Sequence, residues 1–149
     1  MAQTTTAISA CDASIWLDDE AGALTDISGS SSVLNFEFVQ DTAIVPTFQS
    51  DWKIRTACGR DATVTLTAVY TTANSEAVDL IKDWFFNYRG TKRTLTFYLP
   101  DKNVGSDKYS GEFLMTGFSS TLSGGTPDPV TVEMGLESSG AVTWTTAAT

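Results

Sequence analysis

The stretch RDATVTLTAVYTT, residues 60–72, constrains the fold more than any other part of the chain. Ala62, Val64, Leu66, Ala68 and Tyr70 fall on one side of an extended backbone, and Thr63, Thr65, Thr67 and Thr71 dominate the other. A period of two maintained over such a length describes a half-buried β-strand, and the threonines crowd a helix while suiting a pleated surface. VTVEMGLE repeats the design, with Val130, Val132, Met134 and Leu136 inward and Thr131, Glu133, Gly135 and Glu137 outward. RTLTFYLP places Leu95, Phe97 and Leu99 together before Pro100 stops it, and VLNFEFVQ sets Leu34, Phe36 and Phe38 against Asn35 and Glu37. Shorter strands are expected at SIWLD, LTDIS, WKIRTA and AVTWT, so the chain reads as a mainly β, antiparallel domain.

One segment breaks the pattern. In ANSEAVDLIKDWFFNYRG, Ala77, Leu80, Ile81, Trp84, Phe85 and Tyr88 recur at helical spacing opposite Glu76, Asp79, Lys82, Asp83 and Asn87. Asn74 or Ser75 is the expected N-cap and Gly90 the expected stop, while Phe86 points off the apolar stripe. A helix with so wide an aromatic face must lie on a sheet, and SGEFLMTGFSST is a candidate for what it covers. Strict alternation puts Phe113 and Met115 on one side of that strand and Leu114 and Phe118 on the other. A strand apolar on both sides needs a cover on both sides, from its own domain or from another subunit.

A long loop is expected at about 41–51, carrying Ile44, Val45 and Phe48 around Pro46 and leading to Trp52. An apolar loop of this kind either binds something or folds back as a local cap. The polar TLSGGTPDPV is kept out of the sheet by Pro127 and Pro129, and a closing hairpin is expected at about 130–145.

The length of 149 residues fits a single domain, 1–149, with a core that needs no staples. Its 18 acidic and 9 basic residues give a net charge of −9, which repels nucleic-acid phosphates. Cys11 and Cys58 lack the spacing of a metal knuckle or redox pair; reduced, buried or half-buried thiols are expected, with a single bridge the alternative. No basic start with an apolar run of signal-peptide length and no window of membrane-spanning length occurs, so the expectation is a chain that stays in the cytosol or leaves it within something larger, with no membrane contact.

The chain has no histidine, which removes the commonest general base, the Ser-His and Cys-His pairs and the usual zinc or iron ligand. Asp18, Asp19, Glu20, Asp101 and Asp107 offer carboxylates for glycosidase chemistry, but no spacing pairs any two of them. DKNVGSDKYSGE imitates an EF-hand loop through Asp101, Asn103, Asp107 and Glu112, yet its glycine is misplaced and strands flank it, so a plain turn is expected. No phosphate-binding glycine motif is present, and the expectation is a non-enzyme without cofactor or metal. Trp16, Trp52 and Trp144 keep a sugar-binding face open as a rival.

The order of parts resembles the major tail tube proteins of long-tailed bacteriophages over nearly the whole chain. The similarity lies in LTDIS followed by a strand, the run PTFQSDWKIRTACGRDATVTLT, one helix between strands, and YSGEFLMTGFSS followed by a Gly/Pro loop and VTVEMGLESSGAVT. Cys58-Gly59, at a turn, departs from it. The resemblance implies a β-sandwich or barrel with one flanking helix, assembled as stacked hexameric rings into a tube that conducts DNA into a host. It also implies a virion-tail location after assembly in the host cytoplasm, and a tape-measure protein, a tail tip or baseplate and a tail terminator as partners. The long loop would reach the next ring.

On that reading Ile44, Val45, Phe48 and Trp52 are the inter-ring candidates, and Phe113, Met115 and Phe118 the inter-subunit ones. Glu37, Glu133 and Glu137 are candidates for the channel wall, where six copies at −9 each carry −54 and DNA passes without binding. A type VI secretion-like tube or another tail component is the alternative within the same architecture, and a carbohydrate-binding β-sandwich the alternative outside it.

Overall fold

In the computed structural model, residues 9, 11–48, 51–125 and 127–148 are described. Eight strands form one antiparallel sheet: β1 Ser14–Asp18, β2 Leu24–Asp26, β3 Ser31–Val45, β4 Ile54–Val69, β5 Arg93–Leu99, β6 Asp107–Ser120, β7 Thr131–Ser138 and β8 Thr143–Thr146. The order across it is β2-β1-β5-β6-β7-β4-β3, and β8 pairs with β6 beside β7. The sheet folds over on itself. Phe36 of edge strand β3 packs on Phe97 of β5 at 4.9 Å between ring centroids and on Tyr109 of β6 at 5.7 Å, although two strands separate β3 from β6 along the sheet and three separate it from β5. The expected sandwich or barrel is thus a single sheet curled around one core.

Alternation decides what goes inside. Val64, Leu66, Ala68, Val132, Met134 and Leu136 are all buried. Burying a leucine of this kind stabilises the fold by about 1.5–3 kcal/mol. The helix α1, Ala77–Asn87, lies over β4 and β6 and contributes Ala77, Val78, Leu80, Ile81 and Trp84 to the same core. Its stripe leaves the sheet after Trp84, so Phe85 and Tyr88, expected inside, are exposed.

The helix starts later than the capping pattern predicts. Ser75 adopts φ +62° and its N–H donates to Asp79, so neither it nor Asn74 caps the helix; the boundary residue is Glu76. The orphan amide of Ala77 instead donates to the Ser30 hydroxyl, 3.0 Å away, a cap supplied from a short 3-10 turn 47 residues earlier. Gly90, at φ +76°, turns the chain away from the helix as expected.

Three other expectations change. The segment about 41–51 is not a loop throughout: β3 and β4 stay paired out to Val45 and Ile54, because TAIV and IRTA form a second stretch of ladder. Cys58-Gly59 is no turn but an irregularity inside β4, opposite the shift between Gln40 and Thr42. The closing hairpin at about 130–145 does not pair with itself. β7 and β8 run in the same direction along β6, joined by a link at 139–142, since β7 is already held between β4 and β6.

Candidate assembly surfaces

The paired ribbon from Gln40 to Arg60 is the most distinctive surface. The ladder between β4 and β7 runs from Thr63 to Val69, with the Ser138 hydroxyl tied to Asp61 and Ala62 at its end, so beyond Arg60 the β3–β4 pair has no third strand among the described residues. A two-stranded ribbon is marginal in water by itself. This arm nevertheless exposes large apolar groups: Ile44 is 52% accessible, Trp52 85% and Phe48 fully, with Val39, Val45 and Ile54 beside them. The four residues expected at an inter-ring contact therefore lie together at the outer part of one arm. Val39 and Ile54 join them unforeseen; the alternation of TAIV against IRTA was the signal available for Ile54.

The acidic candidates share one exposed face. Glu37 pairs with Thr63, Thr63 pairs with Glu137, and Glu133 pairs with Thr67 four residues along the same ladder. All three carboxylates lie in exposed positions on the side opposite the buried Val64 and Leu66. Alternation in the sequence was sufficient here because β3, β4 and β7 pair in regular register over these residues.

The inter-subunit candidates on β6 are placed differently. A shift in register between Met115 and Gly117 inserts one residue, so Met115 pairs with Leu136 and Phe118 with Met134. Phe113, Met115 and Phe118 consequently share the inner face, and Leu114 alone among the large apolar groups turns outward opposite Glu137. Phe113 is 0% accessible, wholly covered by its own chain, so the expectation that it contacts a neighbour is corrected. Met115 is partly buried against the core. Phe118 meets Phe85 and Phe86 edge-on, at 5.3 and 6.1 Å between centroids, which explains Phe86 as part of an aromatic cluster at the helix edge. Phe86 itself remains 70% accessible.

The remaining polar chemistry is structural. The buried Arg93 guanidinium lies over Trp84 and Tyr88, donates to the Asp18 carbonyl oxygen at 3.3 Å and pairs with Asp83 at 3.5 Å. The Tyr88 hydroxyl donates to Glu20 at 3.0 Å; that hydrogen bond, and then the charge of Glu20, raises the phenol above its ordinary pKa. In the turn between β5 and β6, the Asp101 carboxylate accepts from the Ser106 hydroxyl and from the amide of Asn103, which hold its pKa below the usual range. Asp107 and Glu112 lie in β6, so the calcium-like spacing is an ordinary turn running into a strand. Among the described residues no three His, Cys, Asp or Glu side chains gather as a metal site, and no helix is long and apolar enough to cross a membrane. Cys11 and Cys58 are both free and exposed, against the expectation of buried or half-buried thiols.

No protein-family model matches the chain, and no curated protein is similar to it in sequence. Solved structures are similar in fold. The tail of an empty gene transfer agent particle, of C6 symmetry, superposes with a TM-score of 0.72 at 21% identity, covering 93% of this chain and 99% of that one. The SPP1 tail tube superposes with a TM-score of 0.74 at 11% identity, covering 94% and 80%. The chain has the tail tube fold. The same fold occurs in the PVC sheath–tube complex of an extracellular contractile injection system, with a TM-score of 0.71 at 14% identity and coverage of 95% and 93%. In the tail tube fold of this chain, the one arm and the one acidic face are the features left over once the core is accounted for.

Proposed function

We propose that the chain is the repeating subunit of a phage tail tube, assembling as stacked hexameric rings around a channel for DNA ejection into the host. The observation that carries this reading is an exposed apolar arm beyond the third strand of the sheet among the described residues, on a tail tube fold. The arm bridges to the next ring through Ile44, Val45, Phe48 and Trp52. A second feature supports the ring: β3 is a 15-residue edge strand, and an edge of that length is a template for pairing with a neighbouring subunit. Glu37, Glu133 and Glu137 face the channel, where their charge keeps DNA from adhering. The protein acts as a structural element, not an enzyme, in the virion tail after assembly in the host cytoplasm. Its partners are its own copies, a tape-measure protein, a tail tip or baseplate and a terminator.

The test is negative-stain electron microscopy with light scattering over a range of concentrations. Hollow rings or tubes are expected. Monomers at every concentration, even after seeding with tail tips, overturn the reading and favour a sugar-binding module. A tube map that places Glu37, Glu133 and Glu137 all on the outer surface overturns the channel assignment alone. The tube of a contractile injection system is the second reading, supported by the likeness to the PVC tube complex. Co-assembly with a sheath protein separates it from a bare phage tube.

A further inference from the structure

The sheet splits at the root of the arm. β4 keeps β3 on one edge throughout, but its other edge has no strand partner from Ile54 to Asp61 among the described residues. β7 ends at Ser138 and β8 resumes on β6 at Thr143, with its outer edge also open. Between these diverging edges lies an open groove of about 800 Å³, walled by Phe38 and Arg60 on one side and Ala141, Thr143 and Trp144 on the other, over Tyr109. Its lining mixes the apolar Phe38, Val39, Tyr109 and Trp144 with the polar Gln40 and Asp61, and it is flanked by backbone groups able to accept an added strand.

The arm's own tip cannot fill it. Phe38 lines the groove and Val45 lies seven residues out along β3, a separation of roughly 24 Å at the ~3.4 Å rise of an antiparallel strand. Charge indicates what can. Residues 53–60 hold Lys53, Arg55 and Arg60, three of the chain's nine basic residues, and no acid. The segment 41–60, with Asp41 and Asp51, carries +1, whereas the rest of the chain, with 16 acidic and 6 basic residues, carries −10. The bodies of two copies repel each other, and each attracts the other's arm.

We infer that the groove at the root of the arm receives the arm tip of a second copy, head to tail, with the arm's apolar side chains in the groove and its open strand edges against β4 and β8. This rests on the reading that the arm carries assembly and adds the site that accepts it. A tip and a groove on opposite ends of one ribbon make a heterologous contact, which propagates from subunit to subunit.

Two variants test it. Ile44→Asp with Phe48→Asp removes the tip and keeps the groove; Ala141→Arg with Thr143→Arg blocks the groove and keeps the tip. All four positions are exposed, and thermal unfolding of each variant checks the fold, with Ala141→Arg alone as the milder block. Each variant by itself is expected to form no tubes. Mixed in equal amounts, they are expected to give a complex containing both chains, about twice the mass of the species either forms alone, which weakens as salt is raised. A groove variant that assembles normally overturns the inference and leaves the arm's role standing. No mixed complex from two assembly-dead variants also overturns it, because the tip then seats elsewhere. Normal tubes from the tip variant instead overturn the arm's role itself.

Discussion

β4 is two strands in one. From Ala62 to Val69 every second side chain is buried, Val64, Leu66 and Ala68 completely; from Ile54 to Asp61 every residue is exposed. Both halves share the same ladder to β3, so backbone pairing does not explain the difference. What differs is the third strand, β7, and the helix above it, which the outer half lacks. A ladder holds a strand in shape, and only a second layer makes it a core. The root therefore contributes stability, and the arm is left with exposed apolar surface.

The sharpest way to break this comparison is to make the same kind of truncation in both halves. Leu66→Ala is expected to cost about 2–5 kcal/mol in denaturant unfolding, whereas Ile54→Ala is expected to change monomer stability by no more than about 0.5 kcal/mol. Equal losses would mean that the arm packs on its own body. Arg93→Ala is expected to cost about 2 kcal/mol by the same measurement, because Asp83 and the Asp18 carbonyl lose a buried partner and Trp84 loses its cover. Ser30→Ala is expected to cost about 1 kcal/mol, since it orphans the Ala77 amide at the helix start. Loss of a similar size on an arm residue such as Thr56→Ala would blur the distinction between the two regions.

Hydrogen exchange sharpens it further. Amides of β4 from Thr63 to Val69 are expected to exchange only through global unfolding, and those from Ile54 to Gly59 through local opening of the arm. The smallest effect concerns Asp101, whose lowered pKa contributes stability present above the unfolded carboxylate pKa and lost as pH falls through the folded one. Its carboxyl resonance is expected to titrate below the ordinary aspartate range, and Ser106→Ala is expected to raise it. An unchanged titration in that variant would reassign the shift to the Asn103 amide.

Much of the architecture was legible because strands announce themselves by a period of two and the helix by its stripe. Where the register was regular, the exposed polar face was legible as well, as Glu37, Glu133 and Glu137 illustrate. Legibility failed at β6, where one inserted residue near Thr116 brought Phe118 to the side of Phe113. A bulge is a property of the pair of strands, and nothing in SGEFLMTGFSST alone marks it beyond Gly117. It failed again at the helix cap, where Ser30 lies far from Ala77 in sequence.

The sequence by itself determined most of the strands, where the helix lies and which side of each regular strand is apolar. Only the tertiary structure decided that the apolar run at 44–54 projects as an arm, that β6 has one apolar face, and that β8 continues the line of β7 and leaves a groove beside β4. The reason is physical. Local periodicity records which side of a strand is apolar, but what covers that side depends on strands and helices brought in from elsewhere in the chain.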